Sequence, residues 1–407
     1  MLAFDEALSR VLGAVTPFEG EAVALAGTAG RVLLESVAAD LDLPPFDTTA
    51  MDGWAVRASE AAAAPVRLRV AGPTVGAGGR GEALPSGTAL KVMTGAPMPA
   101  GSDAVVPVEV AEEGGGTVRL LEAPASGAHV RKRGEVVARG AALLSPGRRL
   151  SPADVALLAA AGRGSVRVAR RARAAVLVTG DEIVPPDAVP GPAQIRSTNG
   201  PLLVSALARL GADVSDLGVS PDERRALRDA LGRALAGGFD LVLTTGGVSA
   251  GDFDLVPALL EELGVTARFH KVAIRPAKPV FFGTRAETLV FGLPGNPVSA
   301  AVAFDLFVRP AWRKASGLTP PLPPPEEARL TAPARNKGSR LAFVPASLAR
   351  DGGRLAATPI PAKGSHDVLA HARANGLLVL APDSALAAGD RVPVHVGTDE
   401  TTLGRFE

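Results

Sequence analysis

The stretch from about residue 172 to 316 constrains the fold most, because apolar runs alternate there with helical patterns. Residues 174–178 and 241–243 are continuous apolar runs, and helices are expected to follow at 201–210, with Asn199 as the N-cap, and at 222–236. Continuous apolar strands alternating with helices are typical of a mostly parallel sheet that is covered on both faces. We therefore predict a central α/β domain, with its ligand site beyond the carboxyl ends of the strands.

The flanking segments predict smaller units. Residues 2–15 have the apolar spacing of an amphipathic helix. Residues 151–161 have the start signals of a helix, with Ser151 as the N-cap, Pro152 at the first helical position and Asp154 in the first turn. From about 44 to 136, short alternating segments separated by Gly- and Pro-rich turns indicate a small β domain. A Pro-rich stretch at 316–325 reads as a semi-rigid linker. Beyond it, residues 328–398 return to short strands and turns, which indicates a second β domain.

Charge and composition exclude several classes of protein. Lys and Arg number 43 against 42 Asp and Glu, so no global field exists to hold nucleic acid or an acidic membrane. Cysteine is absent, which excludes disulfides, thiolate nucleophiles and Cys-ligated zinc. The longest uncharged run, 288–304, is interrupted by Pro294 and Pro297, so we expect no membrane span. We expect a cytoplasmic protein.

Polar residues collect at the predicted strand ends of the α/β domain. Asp181 and Glu182 follow one strand, a Gly/Ser/Thr-rich loop at 244–251 follows another, and residues 293–299 form a third loop. Lys271, Arg275 and Lys278 lie within one short segment. Each feature alone has an ordinary structural explanation as a turn, a helix cap or a solvated surface. Together, oxyanion-binding loops, cations and carboxylates point to phosphoryl or nucleotidyl chemistry with Mg²⁺.

The segment 44–55, PPFDTTAMDGWA, is too particular for a scaffold loop. It resembles the PxFDxSAMDGYA motif of the MoeA-type molybdopterin molybdenumtransferases, the family that includes the gephyrin E domain. Further segments match in the family's order and cover nearly the whole chain: 93–97, 103–106, 179–182, 195–199, 245–251, 292–299, 364–365 and 374–376.

The resemblance implies a multidomain architecture of α/β and β units that works as an elongated homodimer. Its expected parts are domain I at 1–43 and 137–171, the inserted β domain II at 44–136, the α/β molybdopterin-binding domain III at 172–318, and the β domain IV at 319–407. In such a dimer the cleft forms between domain III of one subunit and domain II of the other. Asp52 and Thr94 of domain II would then face the partner's sheet edge.

The resemblance also implies the reaction. Adenylylated molybdopterin and molybdate are the substrates, Mg²⁺ is required, AMP leaves, and molybdenum joins the dithiolene of the pterin. Contacts with the molybdopterin adenylyltransferase and with molybdoenzyme acceptors are expected.

Site residues are carried over by position. The expected catalytic residues are Asp52, Thr94, Asp181, Glu182, Asp222 and Asp254, with Asp181, Glu182 and Asp254 as the Mg²⁺ ligands. Lys271, Arg275 and Lys278 would neutralise phosphate or molybdate. The remaining substrate- and anion-binding candidates are Arg196, Ser197, Asn199, Thr245, Gly246, Gly247, Ser249, Pro297 and Ser299.

Two departures from the family pattern stand out. The family's Gly-Glu-Asp reads Gly134-Glu135-Val136, so one acidic side chain is missing and Glu135 is the candidate replacement. The family's Lys-Pro-Gly-Lys-Pro reads RPAKP at 275–279, where alanine replaces glycine. Because alanine disfavours a positive φ, we expect this loop to shift.

Three functions remain open from the sequence. The leading hypothesis is a molybdenum-inserting transferase. A same-fold paralogue that inserts tungstate is the nearest rival, because the two oxyanions are nearly equal in size and charge. A catalytically weakened scaffold that binds molybdopterin is the third. The acidic residues favour an enzyme, since all of them except the one at position 136 are present.

Overall fold

The computed structural model describes residues 1–79, 82–248, 255–398 and 401–404. A six-stranded sheet forms its centre. The strands lie in the order Asp213–Ser220, Arg173–Thr179, Leu241–Thr245, Thr288–Leu293, Phe281–Arg285, Thr266–His270. The first four are parallel, and Phe281–Arg285 is antiparallel to both of its neighbours. The predicted mostly parallel sheet is confirmed.

Both faces of this sheet are buried. Successive residues of a strand point to opposite faces, and Ala174 and Val176 belong to one apolar cluster whereas Ala175 and Leu177 belong to another. The helices that cover the faces are Asn199–Leu210, Arg224–Ala236, Leu255–Glu262 and a long helical segment made of Pro297–Ala303, the π-helical turn Phe304–Val308 and Arg309–Ala315. The predicted two-sided covering is therefore confirmed.

The first helix, Phe4–Gly13, is shorter than the predicted 2–15 and packs on the central domain. Ala7 and Val11 are fully buried in the same core as the long helical segment. The ring of Phe4 lies 5.8 Å from that of Phe307 and 5.4 Å from that of Phe343, in edge-to-face geometry. This helix therefore ties the start of the chain to both the central and the C-terminal domain.

The rest of the N-terminal unit joins residues from both sides of the inserted domain. Its paired strands are Gly20–Ala24 with Ser165–Ala169, and Val37–Ala38 with Ala142–Leu144. The helix Pro152–Ala160 begins with a capping box, in which Ser151 and Asp154 bond each other's backbone N–H groups. The sequence predicted this helix start correctly.

The inserted domain is a β domain, as predicted. Its six strands lie in the order Ala104–Pro107, Gly53–Val56, Thr88–Val92, Val66–Val70, Thr117–Leu120, Ala111–Gly114. Thr48–Thr49 and Val130–Arg131 form a second, two-stranded pairing. Buried Trp54, Leu68 and Leu120 belong to its main core cluster.

The C-terminal domain is a closed barrel. The strands Leu341–Asp351, Arg354–Pro359, Glu326–Leu330, Arg391–Val396 and Gly376–Leu380 pair in turn, and the last pairs back with the first. The short strands Ala334–Asn336 and Ser384–Leu386 pair beside it, and Val368–Ala372 is helical. A piece of the central domain, Ile274–Arg275, adds to Leu341 and Ala342. The barrel is thereby joined to a loop of the α/β domain.

Two local predictions need correction. Asn199 was expected to cap the helix at 201–210, but it is the first helical residue, and its side chain bonds other loops instead. The next helix begins at Arg224 rather than at 222, because Glu223 accepts the N–H groups of Arg225 and Ala226 and so acts as the N-cap. Among the described residues, no helix combines the length and apolar character needed to cross a bilayer.

Candidate active site at the edge of the central sheet

A cavity of about 760 Å³ opens beyond the carboxyl ends of the parallel strands. It is lined by the ends of the strands Arg173–Thr179 and Leu241–Thr245 and by the loop that follows Thr288–Leu293. Nine of the residues predicted from the sequence line it: Glu182, Arg196, Ser197, Asn199, Asp222, Thr245, Gly246, Gly247 and Pro297. We refer to it as the first cavity.

Asn199 fastens the three loops that surround the first cavity. Its Nδ2 donates to Thr245 Oγ1 at 2.7 Å and to the carbonyl of Gly295 at 2.7 Å. Thr245 Oγ1 in turn donates to the carbonyl of Pro294 at 2.9 Å. Since both amide hydrogens are engaged inside the protein, Asn199 positions the loops rather than offering its N–H groups to a substrate.

The Gly246-Gly247 turn brings bare backbone to the cavity. Both residues have positive φ, +95° and +60°. A Cβ on Gly246 would lie 2.4 Å from the carbonyl oxygen of Thr179, which no side chain tolerates. Glycine is therefore required at 246 for two independent reasons, and the turn can approach an anionic ligand closely.

Glu182 and Asp222 line the first cavity, and Asp181 lies beside Asp222. Asp181 Oδ1 accepts the backbone N–H of Asp222 at 3.0 Å. Burial raises the pKa of Asp222, and the neighbouring charges of Asp181 and Glu182 raise it further. Thr179 Oγ1 and Asp222 Oδ1 are both buried, and a hydrogen bond from the Thr179 side chain partly offsets the rise in the pKa of Asp222.

The metal prediction has mixed support. Asp254 and Ser249 lie outside the described residues. Within residues 1–79, 82–248, 255–398 and 401–404, no group of three or more His, Asp or Glu side chains is arranged to hold a metal ion. Asp181, Glu182 and Asp222 nevertheless provide hard oxygen atoms, and Mg²⁺ commonly takes only one or two carboxylates together with substrate phosphates. The residues present therefore fit such a site.

A second cavity of about 560 Å³ adjoins the first, and both share Pro279, Pro294 and Asn296 as walls. Its lining carries two serines, Ser299 and Ser365, and four cations: Arg275, Lys278, Arg335 and Arg340. One carboxylate, that of Asp367, faces them. Backbone N–H groups of Lys363 and Ala370 hold the pKa of Asp367 below its ordinary value, so it stays charged but is engaged locally. The second cavity is therefore strongly cationic.

The loop at 271–279, which carries Arg275 and Lys278, has a left-handed backbone at Ala277, and we refer to it as the basic loop. Ala277 has a φ of +71° and is almost fully buried. Alanine therefore adopts a positive φ here, and the expected shift of the loop relative to the glycine-bearing family members stays a prediction. Lys271 is the first residue of the loop, has a φ of +81°, and lines neither cavity.

Asp52 and Thr94 come together in the inserted domain. Thr94 donates from its backbone N–H and from Oγ1 to Asp52 Oδ1, at 2.6 and 2.7 Å. These two bonds hold the pKa of Asp52 below its usual value. Neither residue lines the first or the second cavity. Their expected meeting with a partner's sheet edge stays a prediction.

Val136, the departure from the family pattern, is 71% exposed. Glu135 accepts the backbone N–H of Lys132 at 2.7 Å and thus closes a local turn. The candidate replacement carboxylate is therefore partly engaged within its own loop.

Three residues of the second cavity were missed by the sequence reasoning. Arg335, Arg340 and Ser365 belong to the C-terminal domain, far along the chain from the basic loop. The matching segment 364–365 was a signal for Ser365. No local pattern could identify the two arginines, because only the docking of the barrel brings them to the site.

Comparison with known proteins agrees with the geometry. Three family models match consecutive parts of the chain: "MoeA N-terminal region (domain I and II)" over residues 2–162, "Probable molybdopterin binding domain" over 175–314 and "MoeA C-terminal region (domain IV)" over 327–396.

Relatives match over most of the chain. Proteins named molybdopterin molybdenumtransferase include one from Haemophilus influenzae, 35% identical over 97% of this chain and 98% of its own, and one from Bacillus subtilis, 36% identical over 92% and 89%. A solved structure of a molybdopterin biosynthesis MoeA protein from Pyrococcus horikoshii OT3 has a TM-score of 0.78 and 29% identity, and covers 97% of this chain and 100% of its own. The chain therefore belongs to the MoeA family of molybdopterin molybdenumtransferases, which are transferases of molybdenum cofactor biosynthesis.

Proposed function

We propose that this protein inserts molybdenum from molybdate into adenylylated molybdopterin and releases AMP. The observation that carries the proposal is the pair of adjoining cavities, one lined by carboxylates and a glycine turn and the other by four cations. The two proposed substrates also differ from each other, in size and in the density of their negative charge. One is a large pterin nucleotide with a phosphoanhydride, and the other is a small dianion.

The first cavity would hold the pterin nucleotide. The backbone of Gly246 and Gly247 can approach a phosphate without a side chain in the way. Arg196 lines the same cavity, and its Nε donates to the carbonyl of Ala188 at 3.0 Å, which fixes the guanidinium. Ser197 adds a hydroxyl. Hydrogen bonds to charged oxygens are worth about 1.5–3 kcal/mol each, so a few suffice to orient the phosphates.

The second cavity would hold molybdate. Among the described residues, Arg275 and Lys278 make no ion pair, so their charges remain available to a ligand. Ser299 and Ser365 can donate hydroxyl hydrogens to the oxyanion. Because Pro279, Pro294 and Asn296 wall both cavities, the metal oxyanion would lie next to the pterin nucleotide. That proximity lowers the entropic barrier to their reaction.

Magnesium would bind at Asp181, Glu182 and Asp222 together with phosphate oxygens, with Asp254 as a further candidate ligand. When bound, Mg²⁺ would neutralise the charge that develops on the phosphoanhydride. The protein's own contribution there is to keep three carboxylates close together.

A homodimer in the cytoplasm is the expected working form. The partner's Asp52 and Thr94 pair would complete the cleft, which explains why this pair is assembled away from both cavities of its own chain. The molybdopterin adenylyltransferase would supply the substrate, and molybdoenzymes would accept the product.

The test is AMP release from adenylylated molybdopterin by the purified protein with Mg²⁺ and molybdate. Lys278→Met removes a cavity cation, and Lys337→Met removes an exposed cation of the barrel that lines neither cavity. We expect molybdate-dependent AMP release that falls about tenfold or more in Lys278→Met and is retained in Lys337→Met. Tight pterin binding without AMP release would favour the scaffold. Competition between molybdate and tungstate distinguishes the paralogue.

A further inference from the structure

The start of the chain covers the edge of the central sheet and continues onto the basic loop. Arg10 Nη1 donates to the carbonyl of Arg268, in the edge strand Thr266–His270, at 3.0 Å. Further along, the N–H of Leu2 donates to the carbonyl of Lys271 at 3.2 Å, and the N–H of Ala273 donates to the carbonyl of Leu2 at 2.7 Å. Leu2 therefore pairs with the loop itself, as a short parallel bridge opposite Val272.

The basic loop needs support from outside. Lys271 and Ala277 both have positive φ although neither is glycine, and such backbone persists only where its surroundings hold it. The loop's own bonds include Val272 N–H to the carbonyl of Lys278 at 2.9 Å. On the side facing the barrel, Arg340 Nη1 donates to the carbonyl of Ile274 at 3.0 Å. Leu2 supplies the corresponding bonds on the opposite side.

The position of the loop determines where two cavity cations lie. Val272 and Ile274 are fully buried, whereas Arg275 and Lys278 are exposed and line the second cavity. A small displacement of the backbone at Lys271 and Ala273 would therefore move these cations relative to a bound oxyanion.

We propose that Leu2 is a positioning residue for the oxyanion site. Through its two backbone hydrogen bonds to Lys271 and Ala273 it sets the place of Arg275 and Lys278 in the second cavity. The inference rests on the proposed function, in which this cavity holds molybdate.

The local effect of Leu2 can be separated from the docking of the helix that follows it. Phe4 packs against Phe307 and Phe343 independently of Leu2, and Ala7 and Val11 are buried in the main core. A change in the backbone of Leu2 therefore leaves the helix Phe4–Gly13 anchored.

The test compares proline at two neighbouring positions. Leu2→Pro removes the N–H that bonds Lys271. Ala3→Pro is the matched control, because Ala3 already has a φ of −65° and its N–H makes no hydrogen bond within the described residues. Arg10→Gln is a second control, which breaks the contact to Arg268 on the same edge strand but away from the loop.

Binding of sodium molybdate to each full-length variant is measured by calorimetric titration. We expect Leu2→Pro to raise the dissociation constant for molybdate at least about fivefold. The dissociation constants of Ala3→Pro and Arg10→Gln should stay within about twofold of that of the parent. A smaller change in Leu2→Pro, or an equal weakening in Arg10→Gln, overturns the inference.

A parallel titration of Lys278→Met keeps the two proposals distinguishable. If the parent binds molybdate and Lys278→Met does not, the cavity assignment holds and the proline variants decide the role of Leu2. If the parent binds no molybdate, or Lys278→Met binds it equally well, the cavity assignment is wrong and the inference that rests on it is overturned too.

Discussion

Thr94 donates two hydrogen bonds to a single carboxylate oxygen of Asp52, from its backbone N–H at 2.6 Å and from Oγ1 at 2.7 Å. The backbone bond is the larger cause, and the hydroxyl bond the smaller, of a pKa of Asp52 below its usual value. Asp52 is therefore held in its ionised form and in one orientation. The two motif segments 44–55 and 93–97 act as one unit for this reason.

Replacement of Thr94 by valine tests that unit. Thr94→Val keeps the backbone bond and removes the hydroxyl bond, so the pKa of Asp52 rises and less of it is ionised at acidic pH. We expect lower AMP release and an acidic limb of the pH–activity profile that moves to higher pH. Thr94→Ser, which restores a hydroxyl, should retain the parent profile. An unmoved limb in Thr94→Val would show that ionisation of Asp52 does not limit the reaction.

The central sheet could be predicted from the sequence because the pattern that indicates each strand lies within one short segment. The apolar run at 174–178 and the residues that follow it, Asp181 and Glu182, are contiguous, and the rule that ligands lie beyond parallel strand ends placed the first cavity. The second cavity depends on tertiary contacts. Arg335 and Arg340 reach it only after the barrel closes and Leu341 pairs with Ile274. No periodicity within a single segment encodes that contact.

Asn199 shows the same limit at one residue. The motif identified it as a site residue, but its role as a brace depends on which strands are neighbours. Its amide reaches Thr245 and Gly295 because Leu241–Thr245 lies beside Thr288–Leu293 in the sheet. Residue type alone predicts hydrogen bonding and not the partners.

Asp222 provides a prediction about stability. Burial, and then the charges of Asp181 and Glu182, raise the pKa of Asp222 in the folded protein above the value of 3.8 for an unperturbed carboxyl. The folded state therefore binds the proton more tightly than the unfolded state, and this group's contribution to stability is lost as pH rises through its folded pKa. At neutral pH the ionised Asp222 is unfavourable.

We therefore expect Asp222→Asn to raise the unfolding temperature at pH 7 by a few degrees while lowering AMP release. The difference in unfolding temperature should shrink as the pH falls through the raised pKa of folded Asp222, and it should vanish below 3.8, where the carboxyl is protonated in both the folded and the unfolded parent. Thermal unfolding with EDTA present, which removes divalent cations, measures this. Asp229→Asn, a change at an exposed acid of the helix Arg224–Ala236, is the control. Equal stability of Asp222→Asn and its parent across the pH range would contradict the prediction.

Ala277 tests how the basic loop tolerates a left-handed alanine. Ala277→Gly relieves a backbone cost of about 1–2 kcal/mol. It also loses about 0.8 kcal/mol of methyl burial and gains conformational entropy in the unfolded chain worth about 0.5–1 kcal/mol. These effects nearly cancel, so we expect the free energy of unfolding in urea to stay within about 1 kcal/mol of the parent. Ala277→Val, β-branched at positive φ, should be clearly destabilising. A large stabilisation by glycine would mean that alanine strains the loop.

Val136 is the position at which a restored carboxylate should change activity without changing stability. Its side chain is 71% exposed, so Val136→Asp should alter the free energy of unfolding by no more than about 0.5 kcal/mol. Glu135 already closes a turn onto the N–H of Lys132 and is poorly placed to replace the missing acid. We therefore expect Val136→Asp to increase AMP release. Val136→Asn, whose side chain has the shape of aspartate but no charge, should leave AMP release unchanged. If Glu135→Gln abolished activity in the parent while Val136→Asp had no effect, Glu135 would be the functional carboxylate after all.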